Sequence, residues 1–218
     1  LLLCISARLM LTKAGFIKRT SLSAFSKIRS NGLIAINLED GDALTWVRLS
    51  KEGDSVLIGS RTGMAIHFRL DINELRPLGR TARGVKSMNL RKGDNLVSMD
   101  VLTSNLVDQL AKIEDPTEDL DDNVEENSSD GPWVLIASAF GLGTRVPVAQ
   151  FRLQKRAGMG LRAIKFRIKD DELVCLKVLG EGEELLFVTE KGVIVRTNAD
   201  KISQQSRAAT GVKLQRLD

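Results

Sequence analysis

The chain has 218 residues, 43% of them hydrophobic, with 32 Lys and Arg against 28 Asp and Glu and a net charge of +4. That length and composition give one or two domains with a real core and exclude a disordered chain. No apolar run approaches the ~18 residues that mark a membrane span, and two distant cysteines with one histidine exclude the common zinc sites.

The chain opens on Leu1-Leu-Leu-Cys-Ile5, apolar but without a basic leader or a cleavage motif. It reads as a strand rather than a signal peptide. With no initiator Met, the chain reads as a fragment. Cys4 and Cys175 lie in apolar strand-like contexts and read as reduced, buried thiols. Arg8–Thr12 reads as a strand, Lys13-Ala-Gly15 as a turn and Phe16–Thr20 as the returning strand. Gly32–Leu38 reads as a third strand, Glu39-Asp-Gly-Asp42 as an acidic turn and Ala43–Leu49 as a fourth strand, which makes a four-stranded antiparallel meander. A second copy follows: Ser55–Ser60, a turn at Gly63, Met64–Leu70, a short helix or loop over Asn73–Leu78, Gly84–Leu90, a turn at Gly93, and Asn95–Leu102. Asn105–Ile113 has helical spacing. The stretch Glu114–Asp130 holds nine acids and no Lys or Arg, and reads as a flexible surface insertion. A third copy spans Trp133–Leu179, with Arg145–Val148 and Leu161–Phe166 between. The fourth runs from Glu184 through Val193–Thr197 to Gly211–Leu217, and its last strand is expected beyond Asp218.

The spacing makes this a true repeat. First glycines fall at 15, 63, 141 and 192, and second glycines at 32, 84, 160 and 211. The residue after each second glycine is apolar (Leu33, Val85, Leu161, Val212), the fifth is polar (Asn37, Asn89, Lys165, Arg216) and the sixth is apolar again. Adjacent strand residues face opposite sides, so one side is core and the other wet. A period near 50 with four short strands is that of a propeller blade. The expected fold is all-β and propeller-like, with about four four-stranded antiparallel blades over residues 6–50, 54–102, 132–180 and 183–218, and the insertion at 114–130.

Without the acidic insertion, 32 basic residues face 19 acidic ones. Such an excess points to a polyanionic partner, nucleic acid first. The position four after the first glycine holds Arg19, His67, Arg145 and Arg196. Arginine stands four before the second glycine at Arg80, Arg156 and Arg207, and three before it at Arg29. Stacked blades would align these into a basic band of Lys18, Arg19, Arg29, Arg80, Arg83, Lys86, Arg145, Lys155, Arg156, Arg162, Arg196, Arg207 and Lys213. The alternative for any one of them is a solvated surface charge. Cations along a curved edge offset the cost of bending duplex DNA without reading its sequence. Aromatics are 4%, few for a single-strand stacking platform. There is no Tyr, no triad motif and no phosphate-binding Gly-rich loop. The lone His67 reads as structural, and Asp40/Asp42 and Asp170/Asp171 read as turn residues.

Several stretches resemble the C-terminal domain of the DNA gyrase A subunit: Gly15-Phe-Ile-Lys-Arg-Thr20, Arg29-Ser-Asn-Gly32, Gly41-Asp42, Leu78-Gly-Arg-Thr-Ala-Arg-Gly84, Gly131-Pro-Trp133, Arg145-Val-Pro147, Gln205-Ser-Arg207 and Thr210-Gly211. The forms are similar to those of cyanobacterial and plant-organelle sequences. The resemblance implies a β-pinwheel, six-bladed in that family, that wraps duplex DNA around a basic rim and supports ATP-dependent negative supercoiling. It implies partners too: the remainder of the gyrase A subunit together with the B subunit, in an A2B2 holoenzyme. It implies no cofactor in this chain, ATP and Mg2+ being used elsewhere in the holoenzyme, no cleavage activity without a tyrosine, and no membrane. The setting implied is the bacterial cytoplasm, at the nucleoid, or a plastid or mitochondrion. The family's Gln-Arg-Arg-Gly-Gly-Arg-Gly box is absent from its usual first-blade place. Gln154-Lys-Arg-Ala-Gly-Met-Gly160 resembles it loosely in a later blade. The corresponding topoisomerase IV domain and a propeller-type protein-interaction module stand as alternatives.

Overall fold

The computed structural model describes residues 6–28, 30–113, 132–180 and 182–214. Strands in chain order are β1 (Ala7–Thr12), β2 (Phe16–Ser21), β3 (Leu44–Ser50), β4 (Ser55–Ser60), β5 (Met64–Arg69), β6 (Val85–Lys86), β7 (Leu96–Leu102), β8 (Trp133–Ser138), β9 (Leu142–Pro147), β10 (Leu161–Arg162), β11 (Leu173–Leu179), β12 (Glu184–Val188), β13 (Ile194–Asn198) and β14 (Val212–Lys213). One helix, α1 (Ser104–Ile113), follows β7.

Each repeat starts with a hairpin closed by its first glycine. The N–H of Gly15, Gly63, Gly141 and Gly192 donates to the carbonyl three residues back, at 2.9–3.0 Å. All four have positive φ, between 75° and 95°, where a side chain would clash with the backbone. The acidic turns pin these hairpins. Asp42, Asp94 and Asp171 each accept through Oδ1 from the residue before the first glycine (Ala14, Thr62 and Phe140) and from the N–H of the next residue. The expectation that these acids serve the turns matches their bonds.

The repeats do not close on themselves. The sheet orders are β3-β1-β2-β6, β7-β4-β5-β10 and β11-β8-β9-β14, with a two-stranded β12-β13 sheet. Among the described residues, three of the four sheets are thus four-stranded. In each of those, the fourth strand comes from the following repeat: β6 pairs with β2, β10 with β5 and β14 with β9, all antiparallel. The expected self-contained meander is corrected to a sheet that borrows its outermost strand. For the same reason Gly32–Leu38 is not a strand. Its counterparts become strands by pairing with the preceding repeat, and the described residues hold no such partner for it. The donated strands are also only two residues long, against the six or seven expected.

The cores lie between sheets. One cluster joins the first two sheets (Leu9, Leu11, Ile17, Val56, Ile58, Ile66, Phe68). A second joins the next two and takes in Val107 of α1. A third, around Trp133, Leu135, Ala199 and Ile202, seats the last hairpin, with Leu185 and Phe187 packed on it. A sheet of short strands is marginal alone, and burying its face against a neighbour supplies what it lacks. At one edge β7 packs on β11 and touches β3. The opposite edge of each four-stranded sheet is the donated strand, which forms the outer perimeter.

Candidate nucleic-acid interface

The position four after the first glycine is interior in the first two repeats, half-buried at Arg145 and exposed at Arg196. Arg19 is 2% exposed and His67 4%. Arg19 donates through Nη1 to the carbonyl of Leu70 and through Nη2 to Glu52, at 2.7 Å. His67 stands with Nδ1 2.6 Å from the Phe151 carbonyl and Nε2 2.7 Å from the Ser55 hydroxyl. A carbonyl only accepts, so Nδ1 carries the proton and Nε2 accepts from Ser55. Burial pushes the ring's pKa below its ordinary value, against the opposing pull of the Phe151 carbonyl. Arg145 donates to Asp200 Oδ1 (3.0 Å) and to the Asp200 carbonyl (3.2 Å), and lies 4.7 Å from the Trp133 ring centroid. Each of these side chains reaches from one repeat into the next. The backbone repeats the link: the carbonyls of Arg19, His67 and Arg145 accept from Leu78, Gln154 and Gln205, each six before the second glycine.

Lys18 is fully buried, and its Nζ donates to the carbonyls of Gly79 (3.1 Å), Arg80 and Ala82 (3.0 Å). Lys18, Arg19 and Arg145 therefore do not form the expected phosphate band; their charge is spent on carbonyls and acids between repeats. The sequence pattern already held the signal. His67 occupies the same register in a strand of apolar neighbours, and its structural reading carries over to Arg19 and Arg145 but not to Arg196, which is exposed.

The arginines four before the second glycine form a second series. Arg80, Arg156 and Arg207 donate through Nη1 to the carbonyls of Ile34 (3.2 Å), Lys86 (2.6 Å) and Arg162 (2.8 Å). Each acceptor stands two after the second glycine of the preceding repeat. These half-buried guanidiniums clamp the donated segment at the perimeter. Arg156 also bonds Glu74 through Nε and its backbone N–H.

What faces water is a third series. Lys86, Arg162 and Lys213, each two after its second glycine, sit on the donated strands and are exposed. Among the described residues their side chains have no partner. Lys155 is exposed on the loop before β10, and Arg83 lies on the loop before β6, ion-paired with Glu39 and 4.2 Å from the Phe16 ring centroid. Arg196 is exposed on β13 and paired with Glu184. Arg29 lies outside the described residues. Lys165, Arg91 and Arg167 are exposed five or seven after a second glycine, in a register that the repeat pattern marks as polar but that was not expected at the interface.

The second glycines let the strand be donated. At Gly84 (φ 106°) an added Cβ would stand 2.6 Å from the carbonyl oxygen of Ile17. With any other residue there, the backbone of β6 could not approach β2 so closely.

No group of three or more His, Cys, Asp or Glu that could hold a metal occurs among the described residues. No helix among them is long and apolar enough to cross a membrane. Cys175 is a free, half-buried thiol whose pKa burial raises. Cys4 and the 114–130 insertion lie outside the described residues.

The periodic glycines, exchanged strands and cationic outer edge define a propeller-like repeat protein. The chain belongs to the family "DNA gyrase C-terminal domain, beta-propeller", whose model matches residues 9–51, 54–103, 132–175 and 183–218. It is 56% identical over 216 residues to the DNA gyrase A subunit of Synechocystis, and 39% identical over 206 residues to that of Staphylococcus epidermidis, covering 96% and 94% of the chain. It spans only 25% and 20% of the length of those two relatives. A solved DNA gyrase A C-terminal domain matches with a TM-score of 0.75 at 26% identity, over 100% of this chain and 64% of that one. The C-terminal domain of DNA topoisomerase IV matches with a TM-score of 0.78 at 22% identity, over 96% of this chain and 57% of that one. That likeness shows the shared fold alone, and the topoisomerase IV alternative is not favoured.

Proposed function

We propose that this chain binds duplex DNA along its outer perimeter, without reading sequence, and wraps it. One observation carries the reading: Lys86, Arg162 and Lys213 recur at one register on three successive outermost strands, exposed and without a partner among the described residues. A row of such cations follows a phosphate backbone, and each phosphate neutralised releases counterions. Spread over several sheets, the row offsets the elastic cost of bending the duplex. Lys155, Arg83 and Arg196 supplement it, the two arginines once their ion pairs exchange for phosphate. Arg80, Arg156 and Arg207 hold the strands that carry it.

In the larger protein, the chain acts as the wrapping domain of a gyrase A subunit, with the remainder of that polypeptide and the gyrase B subunit in an A2B2 holoenzyme, in the bacterial cytoplasm. It presents a wrapped segment for strand passage and so supports negative supercoiling. ATP and Mg2+ serve other parts of that assembly.

Fluorescence anisotropy against duplexes of increasing length, across salt concentrations, tests this. Affinity should rise with duplex length and fall steeply with salt. Affinity indifferent to both would move the reading to a protein-interaction module.

A further inference from the structure

The three loops before the donated strands are built alike in length but not in what holds them. Residues 79–84, 155–160 and 206–211 occupy the same register. In the second and third, the alanine three before the glycine takes a left-handed backbone: Ala157 has φ 62° and Ala208 φ 66°. Each then donates its N–H to the preceding repeat, Ala157 to Ser87 at 2.9 Å and Ala208 to Ala163 at 3.1 Å. Thr81, at the same place in the first loop, has neither the positive φ nor that bond. The loop's own backbone bond is Ala82 N–H to Gly79 O, at 3.2 Å.

Lys18 stands where the next two repeats have Ile66 and Thr144. The Ile66 side chain donates nothing, and Thr144 offers its hydroxyl chiefly to the Ser203 carbonyl, at 2.9 Å. Only Lys18 brings three donors beneath the loop. An ammonium has three N–H bonds, and three carbonyls of the loop converge on it. The Gly79 carbonyl also accepts from the Ala82 N–H, but among the described residues Lys18 is the donor to the carbonyls of Arg80 and Ala82. Leaving a half-buried carbonyl without a donor is costly, so the ammonium favours the loop shape that feeds all three.

We propose that Lys18 is a positioning residue for DNA binding: its caged ammonium sets the loop 79–84 and thereby aims Arg83 and Lys86 at the duplex. This rests on the perimeter reading above. Burial, and Arg80 as the charged group facing the ammonium, lower the Lys18 pKa to about 8. Neutral, the amine keeps two donors for three carbonyls. A phosphate chain nearby favours the charged form, so duplex binding takes up protons at Lys18 and weakens as pH rises through about 8.

The test compares the chain with its Lys18→Met variant by hydrogen exchange and by anisotropy against a long duplex from pH 7 to 9.5. Met keeps the length and removes the donors. The Ala82 amide should exchange at least tenfold faster in K18M, while the β4 amides stay protected. The parent's affinity should fall severalfold across that range, and K18M should be weaker at pH 7 and flat thereafter. If K18M does not fold, the parent decides alone: affinity and the Ala82 protection factor, its exchange rate relative to the intrinsic rate at each pH, unchanged through pH 9 overturn the proposal. Unchanged Ala82 exchange in a folded K18M overturns it as well. Failure of the parent to bind duplex, with Ala82 exchange raised in K18M, overturns the perimeter reading and the DNA role of Lys18, and leaves only its hold on the loop.

Discussion

Removing Arg145 should loosen the protein without touching how it answers to salt, whereas removing Lys86, Arg162 and Lys213 together should do the reverse. Arg145 bonds Asp200 twice and stacks on Trp133. The Asp200 carboxylate is 53% exposed, so that ion pair counts for no more than about 0.5–1 kcal/mol. The bond to the Asp200 carbonyl adds about 1 kcal/mol, and the cation–π contact about 0.5–1 kcal/mol. Arg145→Ala should therefore cost about 2–3 kcal/mol, several degrees in melting temperature for a chain of this size. The loss should be local to the last hairpin, seen as faster amide exchange over β12 and β13. The slope of log K against log salt should not change. The triple alanine variant should keep the melting temperature. Its slope should fall by about 2.7, at about 0.9 per phosphate contact. Calorimetry and salt-titrated anisotropy on both variants check this. A lowered slope in R145A with unchanged stability, or an unchanged slope in the triple variant, would refute the division between interior links and outer cations.

Acidification tests His67. Its native pKa lies below the ordinary 6.5, so the unfolded chain takes up the proton first. The stabilisation is complete above about 6.5 and fades as pH falls below it. Urea midpoints should drop from pH 7.5 to 5, and His67→Gln should flatten that drop. Gly84→Ala should cost about 3 kcal/mol or more, because its Cβ meets the Ile17 carbonyl and its φ is strained; exchange at Lys86 and Val85 should rise with it. Glu39→Gln releases Arg83 from its ion pair, and duplex affinity at low salt should rise about two- to fourfold, by anisotropy. Equal affinity would assign Arg83 to its neighbours rather than to DNA.

Glycines and apolar positions in register were enough to place the hairpins: Ser55–Ser60 is a strand over the very residues expected. Period-2 patterning records which face of a strand is buried, but not whose edge it meets. That is why the exchange of β6, β10 and β14 was not visible, and why Gly32–Leu38 looked like a strand. The same limit governs the charges. Lys18-Arg19 and Lys155-Arg156 are identical pairs in the sequence. One is buried against carbonyls, while the other leaves Lys155 in solvent. The acidic partners Glu52, Glu74, Asp200 and Glu184 come from distant or differently spaced positions, and no repeat register announces them.

Strand donation puts the unit of inheritance and the unit of architecture out of phase. Residues 54–103 form one copy of the pattern, yet excising them would not remove one sheet. It would strip β6 from the first sheet and leave β10 without β5. A cut that respects the architecture runs from just after one donated strand to just after the next, residues 87–162 for instance, which carries away β7 to β10 and still strands their partners. No pair of cuts frees one four-stranded sheet alone. Copies could be added or lost through recombination only where the neighbouring copies preserved the glycine that admits a foreign strand. The second glycines are thus the joints at which such a chain is extended, and a copy that loses its own still folds its hairpin but passes nothing on.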